Sequence, residues 1–523
     1  MLDSGESLTH KLLRKGFWLY FLAALSAPLG YFIRVIIARD LTLADFGILY
    51  GVMALITLLW SYNDLGFTEA LNYYLPKRAV IKDWTGVTRL SAYALLVQAG
   101  SSVAMAAVLW YAAPSIAGWL FRDESAVQLI RVYTLFLVGH GLFQVPVTIF
   151  AALQDVKAQK SIDLVRLAAT LAFVVSLWQY GAGSSLTYAW AWIAGVGVAT
   201  AIAWILAFLR LRPFFDRRGL TWNAQDFFPV MRYAVWSVLA ANVGTLLSQL
   251  DTLFVIYFLG NATNGIYSNY LSLMGLPFLV IGPAVSFLFP VFSELFARGD
   301  AGKISLLKRA AYGHLSALSF YFGSFFVALG PSLAAFFFGE KFADSGAVMA
   351  WSGPFLVFNF LLQVNFMLLA GTGRARIRML LLLAGLGLNL ATLSVFLVGV
   401  PFLGIPGIGL PGAALASGLG WILIFFLSHH VTRAYPAGVN WTRLLSNLVA
   451  AGALGAVGYW AFGGSSFGNG WALFAALAAG GALHILAWAL INLRDLREVA
   501  DQVRSLRNPR RAPEQHPPSV LPD

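Results

Sequence analysis

The sequence predicts an all-α polytopic membrane protein of about 14 transmembrane helices. Three observations carry that class. Of 523 residues, 59% are apolar and only 11% charged, where a soluble chain charges about a quarter of its residues. Mean hydropathy is +0.74, and fourteen spans of about 20 residues each absorb roughly the apolar half of the chain, leaving no sizeable soluble domain. Finally, runs such as Ala104–Tyr111 and Leu380–Leu386 lack the alternation of a membrane β-strand.

The expected spans lie near 17–38, 43–64, 87–112, 127–153, 162–180, 186–209, 227–259, 264–291, 310–330, 346–370, 378–400, 411–431, 444–463 and 470–491. The apolar run after the basic N-terminus continues through Ile37, so it reads as a span and not as a cleaved leader. With the N-terminus cytoplasmic, alternation puts all but five of the 35 basic residues on the inner side, the exceptions being Arg34, Arg39, Arg122, Arg131 and Lys341. That asymmetry is the positive-inside signature. It places both termini in the cytoplasm of a bacterial inner-membrane protein and explains the net charge of +12 without nucleic acid as a partner. There are no cysteines, hence no disulfides or thiolate chemistry. From Asn492 onward, Leu493, Leu496, Val499, Val503 and Leu506 recur at helical spacing among arginines, which suggests an amphipathic segment on anionic lipid before a proline-rich, disordered end.

An internal repeat organises the chain. Residues 32–55, FIRVIIARDLTLADFGILYGVMAL, align with 250–273, LDTLFVIYFLGNATNGIYSNYLSL, at an offset of 218, pairing Gly47–Ile48 with Gly265–Ile266. An even number of spans separates the copies, so they share orientation. This gives two six-helix bundles, 1–209 and 227–432, related by a pseudo-twofold along the membrane normal. The basic segment 210–226 joins them, two further helices occupy 433–491, and a tail covers 492–523.

The segment Arg34–Lys77 resembles the opening of Wzx-type polysaccharide and lipid-linked oligosaccharide flippases of the multidrug/oligosaccharidyl-lipid/polysaccharide exporter superfamily. The matching elements are the "ARxLT" at Ala38–Thr42, the "DFG" at Asp45–Gly47 and "NDLGF" at Asn63–Phe67, echoed by "LG…NGIYS" at Leu259–Ser268. The resemblance implies alternating access around a central cavity lined by spans 1, 2, 7 and 8. It implies a polyprenyl-phosphate-linked saccharide as cargo, with membrane lipids and polysaccharide-assembly proteins as candidate partners. No cofactor is expected, and no GxxxxGK[ST] occurs; a coupling ion, H+ or Na+, is left open.

Charges within a span are costly and default to function. Arg34 and Asp251 sit on small-residue faces and occupy nearly equivalent repeat positions, so they are expected to line the cavity or to meet as an outer gate. The bland alternative has Arg34 snorkelling past Asp40. Arg39, at the interface, is a weaker candidate. His140 and Gln144 share a face before Pro146, and Asn242, Gln249 and Asn269 are further cavity candidates; helix–helix hydrogen bonding is the competing reading. The eighth span is expected to bend around Pro277, Gly282–Pro283 and Pro290. Asp64 and Glu69 beside Lys77 and Arg78 form a candidate inner latch. No residues sit at metal-ligand spacing. Two alternative functions stand beside the flippase reading: a multidrug or metabolite exporter, and a saccharide polymerase or ligase. The latter typically carries a long outer loop with histidine, and the longest outer loops expected here, 113–126 and 331–345, contain none.

Overall fold

The computed structural model describes residues 8–400, 405–437 and 441–462 and parts of 472–490. The amphipathic segment and tail expected after Asn492 lie outside the described residues. Helices follow in the order α1 (Leu8–Asp40), α2 (Leu43–Asn63), α3 (Phe67–Val80), α4 (Trp84–Ile116), α5 (Ser125–Ala152), α6 (Val156–Gln179), α7 (Ser185–Leu211), α8 (Ala224–Ala241) and α9 (Val243–Leu259). They continue as α10 (Asn261–Met274), α11 (Leu276–Ala297), α12 (Ala301–Phe338), α13 (Ala343–Ser352), α14 (Leu356–Gly371), α15 (Ala375–Val398), α16 (Leu410–Val431) and α17 (Trp441–Phe462). Among the described residues the only strands are two-residue arms, Gly399–Val400 paired with Ile405–Pro406.

Eleven of the described helices are long and apolar enough to cross a membrane, and Val243–Leu259, Leu445–Ala461 and Ala478–Leu490 are shorter apolar helices at the expected spans 7, 13 and 14. Span 7 is short because it breaks at Asn242, which ends α8 and opens α9. Span 8 also breaks, at Gly275, two residues ahead of the first of the prolines expected to bend it, Pro277. The stretch after span 2 is not a loop. Leu65 and Gly66 take positive φ values of 48° and 83°, and the chain then resumes as α3. A Cβ on Gly66 would run into the Ala234 carbonyl, so a glycine is needed there for both conformation and contact. The two long outer loops expected at 113–126 and 331–345 are also largely helical: α4 continues through a π turn to Phe121, and α12 runs to Phe338.

The repeat extends well beyond the aligned motif. Adding 218 to the first residue of α2 or α5 yields the first residue of α10 or α13, and within one residue the end of α3 matches that of α11, the start of α4 that of α12, and both ends of α6 those of α15. Helix α11 begins nine residues earlier than α3 would dictate because the break has moved to Gly275. Register is lost only after α15, where α16 starts seven residues later than Ser185 would dictate.

The chain forms two compact units, Met1–Ser268 and Asn269–Asp523. The boundary falls later than the 210–226 linker because α8 packs on α3 and α9 on α2. In the first unit, α4 packs on α5, α5 on α7, and α6 on both α1 and α7. Its core at the α3 end joins Phe67, Leu71, Leu75, Leu90, Tyr93 and Ile149 with Val230 and Ala234 of α8. In the second unit, α12 packs on α13, α14 and α17, and α16 packs on α14 and α15, around Leu362, Phe366, Leu369, Leu381 and Ile424. Large apolar side chains such as Tyr111, Phe208 and Trp460 stand exposed, as surfaces facing hydrocarbon do.

Candidate transport site

The motif residues build the end of the first unit where α2 begins. Thr42 caps α2, accepting from the Asp45 amide at 3.1 Å and donating to its carboxylate at 2.6 Å, which places an acid in the first turn where the helix dipole favours it. One turn on, Gly47 meets α10 backbone to backbone. A Cβ there would collide with the Asn261 carbonyl, and a Cβ on Gly265 would collide with the Leu43 carbonyl. Leu43 and Asn261 are repeat equivalents, as are Gly47 and Gly265, so the contact is made by the same surface on both copies. Asn264 Nδ2 closes it with a 2.7 Å bond to the Gly47 carbonyl, and Asn261 Nδ2 donates to the Phe121 carbonyl at 2.9 Å.

Arg34 lies beside this contact. Its guanidinium carbon is 3.9 Å from the Tyr50 ring centroid and 5.5 Å from that of Phe46, and Nη2 donates to the Ser268 carbonyl at 3.0 Å. Phe46 and Tyr50, four residues apart on α2, present adjacent rings. A cation over an aromatic face gains up to about 2 kcal/mol when desolvated. Asp251, 6% exposed, accepts from the Tyr267 hydroxyl at 3.4 Å. Arg34 and Asp251 thus engage consecutive residues of α10, having been picked out as repeat neighbours. The snorkelling alternative does not describe Arg34, which turns to Tyr50 and Ser268; Asp40 instead accepts from Tyr188 Oη at 2.6 Å.

Other expected cavity residues are dispersed. His140 is 3% exposed and packs against Trp60, with 3.5 Å between ring centroids and the planes tilted by 44°. Gln144 donates to Thr148 of its own helix at 3.4 Å, and Gln249 to its neighbour Ser248 at 3.1 Å. Asn242 does couple helices: at the α8–α9 break its Nδ2 donates to the Ser61 carbonyl at 2.6 Å. Asn269 is buried on α10 in the second unit, and Arg39 is exposed.

The latch is assembled from different partners than expected. Asp64 spends both carboxylate oxygens on the amides of Gly66 and Thr68, at 2.9 and 3.0 Å, so it caps α3. Lys77 Nζ lies 3.4 Å from the Tyr73 ring centroid. Glu69 is half-buried in the first turn of α3. Arg78 bridges Asp83 at 2.7 Å and Asp226 of α8 at 2.9 Å, and Arg89 also pairs with Asp226. Partial burial alone would raise the Asp226 carboxyl; the Arg89 and Arg78 guanidiniums outweigh it and hold the pKa below the usual carboxylate range. Sequence reasoning missed Asp226 because it lies 148 residues from Arg78, and missed Tyr50 because aromatics are common throughout. The i, i+4 spacing of Phe46 and Tyr50 across from Arg34 was the available signal for the aromatic pair.

Against known proteins, the architecture recurs in solved structures at low identity. The lipid II flippase MurJ in an inward closed conformation superposes with a TM-score of 0.72 at 11% identity, over 91% of this chain and 99% of that one. An inward-facing multidrug resistance MATE family transporter of the MOP superfamily gives 0.64 at 14% identity, over 82% and 94%. A MOP superfamily transporter from Pyrococcus furiosus gives 0.58 at 13% identity, over 83% and 95%. The fold is therefore that of the MOP-superfamily transporters, a multi-pass membrane architecture. The family is set by sequence: the model for polysaccharide biosynthesis proteins matches residues 12–296, more than half the chain, and the chain belongs to that family. An uncharacterized membrane protein of Methanocaldococcus jannaschii is 20% identical over 396 residues, covering 71% of this chain and 75% of the relative.

Proposed function

We propose that this protein moves a polyprenyl-phosphate-linked saccharide from the inner to the outer leaflet by alternating access, driven by an H+ or Na+ gradient, with both termini in the cytoplasm of a bacterial inner membrane. The observation that carries the reading is Arg34: a guanidinium inside the spans, held by aromatic faces and a carbonyl in a member of the polysaccharide biosynthesis family. A diphosphate linkage offers such a group two anionic oxygens in its own fork geometry. The Gly47–Gly265 contact is then the closed outer door, and Asp226 with Arg78 and Arg89 holds the inner end of α8.

Reconstitution tests this. Fluorescent lipid-linked oligosaccharide should become accessible on the opposite face of proteoliposomes at a rate that rises with an imposed ion gradient. Arg34→Gln should lower that rate at least tenfold, with Arg34→Lys intermediate because a point charge replaces a planar fork. Transport of organic cations in place of the saccharide lipid, or full activity in Arg34→Gln, would overturn the reading.

A further inference from the structure

We infer that the segment between α7 and α8 is a rigid platform that binds the anionic headgroup layer of the protein's own bilayer. A linker between transmembrane helices needs only length, yet this one is stitched to α4 along one edge. Thr85 Oγ1 donates to the Asp216 carboxylate, and the Asp216 amide donates to Thr88 Oγ1 at 3.2 Å. Gly219 is buried where a Cβ would strike the Thr85 carbonyl. The Asn223 amide donates to Tyr93 Oη at 2.8 Å, and that hydroxyl donates to the Asn223 carbonyl at 3.0 Å. Phe214 packs on Trp84 with 4.5 Å between centroids.

The other edge faces away from the protein. Phe215 is 53% exposed and Leu220 58%, interleaved with the inward-facing Asp216 and Gly219, while Trp222 packs one face on Tyr93 and Phe227, with 5.2 and 4.5 Å between centroids, and leaves 56% of its surface exposed. Arg212, Arg217 and Arg218 are also exposed and form no ion pair within 4 Å among the described residues. The Arg212 guanidinium lies 5.8 Å from the centroid of the exposed Phe208 ring and Arg218 acts on the Asp216 carboxylate at longer range, whereas Arg210, just before them, pairs directly with Asp155. Exposed Phe208 and Leu209 at the end of α7 continue the apolar surface of the span directly into the platform. Exposed aromatic and aliphatic side chains alternating with exposed guanidiniums, where a membrane helix ends, match the interface in both polarity and charge. Anionic phospholipid headgroups are the complementary occupant, since each arginine near an anionic surface is worth roughly a fivefold gain in association.

The absence of cysteine makes the test direct. A Leu220→Cys variant of the full chain, carrying a polarity-sensitive fluorophore, is reconstituted in vesicles of phosphatidylethanolamine alone and of phosphatidylethanolamine with an equal amount of phosphatidylglycerol. Acrylamide quenching should be weak in both and weaker still with phosphatidylglycerol. In mixed micelles of the two lipids, the purified protein should retain phosphatidylglycerol preferentially. Replacing Arg212, Arg217 and Arg218 together by Gln should reduce that preference about tenfold or more, while the matching Lys set should keep it. Quenching as strong as that of free dye, as for a platform in water or awaiting a soluble protein partner, would overturn the inference. So would a lipid preference unmoved by the Gln set in a monodisperse protein. Neither readout involves transported saccharide, so the flippase reading stands or falls separately.

Discussion

The two copies of the repeat keep most of the same helix starts but not the same buried chemistry. In the first copy, Asn63 of α2 donates to Ser102 of α4 at 2.6 Å, and Ser101 donates to the Asn63 carbonyl; these are neutral bonds between apolar helices. The second copy holds a buried ion. Lys308 of α12 is 0% exposed, and its ammonium donates to Thr432 Oγ1 at 2.8 Å and to the carbonyls of Thr432 and Tyr435 at 3.3 and 3.2 Å. Tyr312 and Asn365 extend the network, joined by a 2.7 Å bond, and Asn365 Nδ2 donates to Ser428 at 2.8 Å. At the 218 offset, Asn63, Ser102 and His140 fall opposite Ile281, Phe320 and Phe358, while Lys308, Tyr312 and Asn365 fall opposite Leu90, Ala94 and Val147. The copies share most helix starts, whereas their buried polar contacts occupy different repeat positions.

The sharpest test addresses the place where the copies do agree. Gly47→Leu and Gly265→Leu should be equally damaging, because each glycine opposes the repeat-equivalent carbonyl. Overpacking at backbone contact costs about 3 kcal/mol, enough to move a two-state equilibrium by roughly a hundredfold. Both variants should expose a cysteine at Tyr50 to impermeant reagent from outside while leaving secondary structure intact. Very different exposure in the two would break the symmetry argument.

The copies should part company over buried polar groups. Thr432→Val leaves the Lys308 ammonium one acceptor short and should cost about 2 kcal/mol, more than Lys308→Met, which removes the charge and fills its space. Thermal melts in detergent would check the order; equal losses would mean that the charge itself stabilises α16. Asn63→Ala, which removes a neutral bond, should cost only about 1 kcal/mol, measured the same way.

The smallest effect concerns the salt links at the α3 end. The Asp226 carboxyl is held below its usual range, and so is that of Asp83: its partial burial would raise the pKa, but the Gly86 amide and the Arg78 guanidinium prevail. A depressed native pKa stabilises above the unfolded carboxylate range, and that contribution disappears as pH falls through the native value. Asp226→Asn should therefore lower stability by about 1 kcal/mol or less at neutral pH, with the gap to the unmodified protein closing below about pH 4. A gap independent of pH would assign the effect to packing.

Much of the fold was legible because the bilayer imposes it: apolar runs of span length, basic residues gathered in the polar connections between them and a duplicated motif are all local signals. The breaks were harder. Asn242 and Gly275 are ordinary-looking residues in apolar runs, and α3 has the composition of a loop until Phe67, Ala70, Leu71 and Leu75 are seen to face one core. Arg34 and Asp251 stood out as charges in spans, whereas their partners did not: Ser268 contributes a backbone carbonyl, which carries no residue-specific signal. The Asp64 latch was misassigned because proximity in sequence suggested an ion pair where the carboxylate was needed by two unsatisfied amides at a helix start.

The constancy of the 218-residue spacing constrains how this chain tolerates length changes. From α2 to α6 the starts of four of the five helices recur within one residue at that offset in α10, α12, α13 and α15, so lengthening a turn between them breaks a spacing that both copies keep. Epitope tags or fluorescent inserts placed there should abolish production of the protein. The stretch after Val398, where the second copy has already absorbed extra residues, is the natural position for such a graft.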